Sequence, residues 1–241
     1  MSIIGTALEE VKAVVEPMIS QPLTAALPTF HNYLNLQFQD VQRAFQYARI
    51  NMLGDERLAT VGAAAAAYRL GLCANYTEID ICDSEEIRMS MKRVLAIQYA
   101  REALAVTISP FKSSRKGFDW TSDQAWNLGS DARPGQNPRE VSIYWHNVRT
   151  MIRRWARLAL AKRSITHVML IGESALSETF LRVVRDALKD GLPEAPPVQS
   201  KMTTSVEMID PTYAAARGGA ELAKRTLESP KDCVETRFCK W

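Results

Sequence analysis

Residues 164–190 read SITHVMLIGESALSETFLRVVRDALKD and combine two different hydrophobic periods. Their first part, His167 to Ile171, is a short apolar run that includes the β-branched residues Val168 and Ile171, which is typical of a strand buried on both faces. Gly172 interrupts this run, and apolar residues then recur at the three- and four-residue steps of an amphipathic helix. Ser174 or Ser177 is placed to cap the helix N-terminus. The segment therefore predicts a strand, a glycine turn and a helix.

Such a unit often directs backbone N–H groups and a helix N-terminus toward a phosphate or another anion. A plain connection between a strand and a helix, without any ligand, is the alternative, because short motifs of this kind recur by chance. The residues themselves leave both interpretations open.

The chain has 241 residues, of which 46% are hydrophobic and 24% charged, as in ordinary globular proteins. We expect a single compact domain, 1–241, with possible sub-lobes at 1–91 and 92–228 and a surface tail at 229–241. No apolar run reaches the roughly 18–20 residues that a membrane helix needs. The N-terminus lacks the basic flank and long apolar core of a secretory signal, so we expect a cytoplasmic protein without membrane contact.

The four cysteines are Cys73, Cys82, Cys233 and Cys239, and their spacing is unlike that of zinc sites. Four cysteines in a chain of this length do not indicate a disulfide scaffold, and we expect them to be reduced. The acidic segment from Cys73 to Met91 has neither the spacing nor the glycine of an EF-hand, and is expected to be a solvated loop. The sequence therefore predicts no metal and no cofactor.

Apolar periodicity places the remaining elements along the chain. The predicted helices are Thr6–Ile19, Leu36–Ile50, Asp55–Leu70, Glu140–Arg163 and Asp210–Leu227. The predicted strands are Leu23–Phe30, Arg93–Gln98 and Ala103–Ile108, the last two joined by a tight turn near Ala100.

Two of these helices have patterns that bear on function. In the helix Glu140–Arg163, four arginines lie close together, and they are Arg149, Arg153, Arg154 and Arg157. Such a row pairs with acidic side chains elsewhere in the fold or binds an anionic ligand such as the RNA backbone. In the last helix, Gly218 and Gly219 indicate a backbone approached closely by another element or by a ligand.

The order of these elements resembles the Hsp70-type ATPase domain. PLTAALPTFHNYLNLQFQDVQRAFQYARI, DERLATVGAAAAAYRLGL, RVLAIQYAREALAVTIS, IGESALSETFLRVVRDAL and DPTYAAARGGAELA are similar, in this order, to five segments of that family. The chain is also similar to the divergent Hsp70-like proteins of filamentous fungi. The resemblance implies an α/β fold of the actin/Hsp70-like (ribonuclease H-like) kind, with strand-helix units, a mixed sheet and several long helices.

The departures from the family concern its nucleotide site. Where the family has the phosphate hairpin Asp-Leu-Gly-Gly-Gly-Thr, this chain has Gln98 to Ala103, QYAREA, without the metal-binding carboxylate and the glycines. In the adenosine turn, Gly172 and Ser174 are kept, but Glu173 replaces the second glycine. No counterpart of the family's first phosphate loop is found. The resemblance therefore implies the fold without ATP hydrolysis.

The leading hypothesis is a non-hydrolysing, Hsp70/actin-like pseudo-ATPase domain with a degenerate crevice. That crevice is expected to bind a protein partner, a second copy of the chain or a small ligand. The residues expected to line it are Gly172, Glu173, Ser174, Gly218 and Gly219.

The alternative hypothesis is a tRNA-dependent acyl-transfer enzyme. GESALS after a buried strand resembles the G-x-S turn of cyclodipeptide synthases, which hold tRNA on a basic helix. Ser174 would then be the nucleophile, with His167 or Glu173 as the general base, and the four arginines would bind RNA.

Overall fold

The computed structural model describes most of the chain. The described residues are 3–30, 37–53, 58–114, 121–135, 137–162, 165–191, 198–199 and 209–229. The helices are α1 Ile3–Ile19, α2 Phe38–Tyr47, α3 Thr60–Ala67, α4 Ile79–Arg88, α5 Pro138–Lys162, α6 Glu178–Gly191 and α7 Ala214–Glu228. The strands are β1 Ala25–Ala26, β2 Thr29–Phe30, β3 Asn51–Met52, β4 Leu58–Ala59, β5 Lys92–Tyr99, β6 Leu104–Phe111, β7 Thr121–Ala125, β8 His167–Ile171 and β9 Val198–Gln199. Two single turns of 3₁₀ helix, Trp126–Leu128 and Ser130–Ala132, precede α5.

A mixed five-stranded sheet forms the centre of the described structure, with the strand order β7-β6-β5-β8-β9. Strands β5, β6 and β7 pair antiparallel, whereas β5 pairs with β8 and β8 with β9 in parallel. The protein is thus of the α/β class with a mixed sheet, as predicted.

The central strand β5 is buried on both of its faces, because its successive side chains point to opposite sides of the sheet. Leu95 and Ile97 enter a core that α5 and α6 cover. Val94 and Ala96 enter a second core, which α3 and α7 cover. The unbroken apolar runs of β5 and β8 reflect this burial between two helix layers.

The N-terminal elements form a smaller apolar cluster of their own. Val41 and Phe45 of α2 are buried there, and Leu8 of α1 packs against them. Strand β1 pairs in parallel with β3, and β2 with β4, as two short two-stranded sheets.

Several predicted boundaries differ from the structure. The predicted strand Leu23–Phe30 is two short strands, and the predicted helix Asp55–Leu70 begins only at Thr60, after β4. The expected solvated loop contains the helix α4, whose buried residues are Cys82 and Glu86 rather than aliphatic side chains. The polar strand β7 was not predicted, because Thr121–Ala125 lacks apolar alternation and forms by pairing with β6.

The prediction that the cysteines are all reduced is wrong for one pair. Cys73 and Cys82 form a disulfide, with their Cα atoms 5.3 Å apart. Cys233 and Cys239 belong to the predicted tail, which from residue 230 onward lies outside the described residues. Among the helices described, none has the length and apolar character required to span a bilayer.

Helices α3 and α7 pack with unusually close backbones. The five alanines of α3, residues 63–67, are buried, and a Cβ atom added to Gly218 would lie 1.6 Å from the carbonyl oxygen of Ala63. A Cβ atom added to Gly219 would instead meet Thr29 Cγ2 at 2.9 Å. The close approach that these glycines predicted is therefore made, at Gly218, by another helix.

We expect Gly218→Ala to lower the free energy of unfolding by about 3 kcal/mol, because the backbone of α3 would have to move. The matched control is Gly219→Ala. There the contact is a side-chain methyl, and alanine favours the helix by about 1 kcal/mol, so stability should change by no more than about that amount. Urea unfolding of both variants measures the difference, and equal losses would contradict this account of α3–α7 packing.

Candidate functional site

Three loops meet at the end of the sheet where β5 and β8 terminate, and together we call them the junction. They are the β5–β6 hairpin turn (residues 99–103), the loop 129–131 and the turn after β8 (residues 172–174). The hairpin and the β8 turn are adjacent because β5 and β8 run parallel, with Gln98 opposite Ile171. The amide of Ser174 donates to the carbonyl oxygen of Tyr99 at 3.2 Å.

The β8 turn requires glycine at its first position. Gly172 has φ +102°, a conformation that L side chains rarely adopt, and an added Cβ would lie 2.5 Å from the carbonyl oxygen of Tyr99. The Gly172 amide donates to the carbonyl oxygen of Pro211 at 3.0 Å, which ties the turn to the segment before α7. The glycine that interrupts the apolar run is therefore required by its backbone conformation and by its contact with Tyr99.

Glu173 connects the β8 turn to the hairpin. Its Oε1 accepts a hydrogen bond from the backbone amide of Arg101 at 2.6 Å. The guanidinium of Arg101 pairs with Asp131, with Nη2 and Oδ2 3.0 Å apart. The hydrogen bond to Asp131, and the charge of that carboxylate, raise the pKa of Arg101. Two carboxylates of the same chain therefore bind the hairpin at Arg101. One accepts from its backbone amide, and the other pairs with its guanidinium.

The loop 129–131 packs against the same hairpin. A Cβ atom on Gly129 would lie 2.3 Å from the carbonyl oxygen of Arg101, so only glycine fits. The amides of Ser130 and Asp131 donate to the carbonyl oxygens of Ala100 and Arg101 at 2.9 and 3.0 Å. Through these contacts the loop 129–131 forms the third part of the junction.

A pair of tyrosines supports the junction from the core. The hydroxyls of Tyr99 and Tyr144 are 2.9 Å apart, and the Tyr144 hydroxyl also lies 2.9 Å from the carbonyl oxygen of Gly129. The ring of Tyr99 stacks on Phe180, with the centroids 4.1 Å apart. Burial raises the pKa of both tyrosines, so they remain neutral hydrogen-bonding groups.

Ser174 neither caps a helix nor contacts a general base in the described structure. Its hydroxyl donates to Ser130 Oγ at 2.8 Å, and α6 begins only at Glu178, after Ser177. His167 lies at the opposite end of β8, about 16 Å away along a strand, and its Nδ1 is 2.8 Å from Thr166 Oγ1. Of the two bases considered, Glu173 accepts from Arg101 and His167 is out of reach.

The predicted ligand residues thus fall into two groups. Gly172, Glu173 and Ser174 share the junction, whereas Gly218 and Gly219 lie on α7, against α3 and Thr29. Sequence reasoning missed Gly129, Ser130 and Asp131, which complete the junction. Their segment shows no periodicity, and only the glycine before a polar pair hinted at a tight loop.

Two members of the arginine row pair with the protein's own carboxylates. Arg149 donates to Asp190 at 2.6 Å, and Arg154 pairs with Asp123, which also accepts from the indole of Trp155 at 3.3 Å. Neither partner belongs to the acidic segment 73–91. For Arg153 and Arg157, no carboxylate partner is found within the part of the chain that the structure describes. Binding of RNA by this helix stays a prediction.

The structure also brings together three side chains that can bind a metal, although none was predicted to do so. The ligand atoms of Cys73, Cys82 and Glu86 all lie within 4.8 Å of one another, and all three residues are buried. Their separation in sequence hid this cluster, because Cys73 comes from a loop and the other two from α4.

Comparison with known proteins gave no family model that matches the chain, and no curated protein with a significant match to it.

We expect His167 to contribute to the pH dependence of stability. Burial, and then the charge of Lys92, lower its pKa below the ordinary value of 6.5. Just below that value the unfolded chain binds more protons than the folded chain, so stability falls as the pH falls. In His167→Gln this loss should be smaller, when urea unfolding at about pH 7 is compared with about pH 5. An identical loss in the variant and the wild type would contradict the assignment.

Proposed function

We propose that the protein is a non-hydrolysing pseudo-ATPase domain of the Hsp70/actin-like (ribonuclease H-like) kind, which binds a protein partner at the junction. The chain order supports the proposal. An antiparallel meander, β5 to β7, is followed by the parallel strands β8 and β9, with α5 and α6 on one face of the sheet. The sequence resemblance implies strand-helix units, a mixed sheet and several long helices, and this arrangement is consistent with them.

The observation that carries the proposal is the hydrogen bond between Glu173 and the Arg101 amide, at 2.6 Å. In the family that the chain resembles, the corresponding hairpin amides would hold phosphate. Here a carboxylate of the same chain occupies that donor. A tethered anion acts at an effective concentration in the millimolar range or above, so a free nucleotide phosphate competes poorly with it.

Side chains on the hairpin also disfavour the binding of a phosphate. Where the family has glycines, this chain has Ala100, Arg101 and Glu102, and the last two are exposed at the turn. A phosphate contacts a backbone closely only where no Cβ atoms intervene. In addition, the negative charge of Glu173 lies at the turn where a nucleotide would have to bind, which adds electrostatic repulsion.

Exposed apolar side chains on the same segments favour a protein partner over a nucleotide. Leu176, two residues after the β8 turn, is 48% exposed, and Trp126, just before the loop 129–131, is 52% exposed. Aromatic residues such as Trp are enriched in protein interfaces relative to the rest of the surface. We therefore infer that the junction is bordered by an interface.

The test is nucleotide binding by the wild type and by two variants. We expect no Mg²⁺-dependent ATP turnover by the wild type, and no heat of ADP or ATP binding in calorimetry at millimolar nucleotide. Glu173→Ala removes the internal acceptor and should permit weak binding of ADP, still without turnover. Glu173→Gln is the matched control, because its amide oxygen can still accept from Arg101.

Steady Mg²⁺-dependent ATP turnover by the wild type would overturn the proposal. Tight ADP binding by the wild type that Glu173→Ala leaves unchanged would show that Glu173 does not occupy a phosphate position. To examine the interface, sedimentation of Leu176→Asp and wild type at equal concentration should show whether self-association of the chain depends on this surface.

A further inference from the structure

The cluster of Cys73, Cys82 and Glu86 is distinct from the junction. It lies beside Ser113, which follows the C-terminal end of β6, whereas the hairpin of the junction precedes the N-terminal end of that strand. The strand has eight residues, so the two sites are about 25 Å apart along it. The cluster has no role in the proposed function above, and the inference drawn from it is independent.

The donor atoms of the cluster come from two elements. Cys73 is in the loop after α3, while Cys82 and Glu86 are four residues apart on α4 and therefore share one helix face. The exposed fractions of the three residues are 1%, 0% and 2%. Two sulfurs and a carboxylate within 4.8 Å form a donor set of the kind that Zn²⁺ prefers.

Glu86 is the informative member of the cluster. It supplies the carboxylate of the donor set, and a buried carboxylate must be held by hydrogen bonds or charges. The hydroxyl of Ser113, itself buried, donates to Glu86 Oε1 at 2.7 Å. A hydrogen bond of this kind is how proteins orient a carboxylate that binds a metal.

The geometry of the cysteine pair suits a metal as well as a disulfide. Tetrahedral Zn²⁺ with Zn–S bonds of about 2.3 Å places two sulfurs about 3.8 Å apart. In the disulfide the two sulfurs are bonded to each other, and after reduction side-chain rotation can separate them to this distance, because the Cα atoms are 5.3 Å apart. Paired cysteines in reducing compartments are usually transient or redox-sensing.

We propose that Cys73, Cys82 and Glu86 form a redox-gated Zn²⁺ site. In the dithiol form, the two thiolates and the Glu86 carboxylate bind one Zn²⁺, and a water molecule completes the tetrahedron. In the disulfide form the sulfurs are bonded to each other and the ion is not held. The state of the site then acts on the loop 73–78, whose Cys73 carbonyl oxygen accepts from Arg225 of α7 at 2.6 Å.

The chemical steps balance with ordinary reagents. A dithiol reductant transfers two electrons and two protons to the disulfide, giving two thiols and becoming a disulfide itself. Binding of Zn²⁺ then releases the two thiol protons. Oxidation by a peroxide takes an electron pair from the two thiolates, forms the S–S bond, yields two hydroxide ions and releases Zn²⁺.

The test uses the full chain with Cys233→Ser and Cys239→Ser, so that Cys73 and Cys82 are its only sulfhydryl-forming residues. After reduction under argon and removal of the reductant, titration with Zn²⁺ should show one ion bound per chain. Titration with Cd²⁺ should give the thiolate-to-metal charge-transfer band in the ultraviolet. The disulfide form should bind neither ion, and addition of hydrogen peroxide should release bound Zn²⁺.

Variants of Glu86 and of its hydrogen-bond partner Ser113 distinguish a three-ligand metal site from metal binding by the two thiolates alone. Glu86→Gln should weaken Zn²⁺ binding by at least about tenfold, and Ser113→Ala by about tenfold. Asp83→Asn is the matched control, because Asp83 is an acidic residue on the same helix outside the cluster. The Zn²⁺ affinity of this variant should be unchanged.

Absence of Zn²⁺ binding by the dithiol form would overturn the proposal, as would equal affinities of Glu86→Gln and Asp83→Asn. If a variant does not fold, the chain with only Cys233→Ser and Cys239→Ser still tests the proposal. Bound Zn²⁺ should slow the alkylation of Cys73 and Cys82 by iodoacetamide, followed by peptide mass spectrometry, and unchanged alkylation would refute the site.

Discussion

The parallel pairing of β5 with β8 is the constraint on which the other features of the junction depend. With Gln98 opposite Ile171, the two strands end at the same level, and the chain must turn away from both at once. The hairpin and the β8 turn are therefore forced into contact, and their backbones meet at the carbonyl oxygen of Tyr99. Gly172 is needed because any side chain there would collide with that carbonyl. One register thus determines which residues form the junction.

Burial of β5 on both faces has a second consequence, for the helices. Each face of the sheet needs a cover, which α5 and α6 provide on one side and α3 and α7 on the other. Small residues allow the second layer to approach closely, and the contact of Gly218 with α3 is the clearest case. Gly218 is thus explained by helix packing, whereas Gly219 faces the methyl group of Thr29 in β2.

Internal carboxylates bind several of the basic and donor groups that could otherwise hold an anionic ligand. Glu173 accepts from the hairpin amide, while Asp190 and Asp123 pair with Arg149 and Arg154. A group of the same chain has a large entropic advantage over a free ligand, because its position is already fixed by folding. For this reason we favour a junction that binds a protein surface over one that binds phosphate. The buried Glu86 lies beside the sulfurs of Cys73 and Cys82 and accepts a hydrogen bond from Ser113.

The sequence by itself determined the elements whose hydrophobic period is strong. Strand β8, helices α5 and α6 and the β5–β6 hairpin were predicted closely, because burial on one or two faces leaves a period of 2 or 3.6 residues, or an unbroken apolar run. Helix α4 and strand β7 were missed. The buried face of α4 carries Cys82 and Glu86 instead of aliphatic residues, and β7 is a polar strand that exists only through its pairing with β6.

Tertiary structure alone decided the composition of both sites. Gly172, Glu173 and Ser174 stand out in the sequence, but nothing local shows that Arg101 and the loop 129–131 lie against them. The cysteine cluster likewise joins a loop to a helix, so no spacing rule could find it. Local periodicity records which face of an element is buried, whereas a site depends on which distant segments the sheet order brings together, and that information is not local.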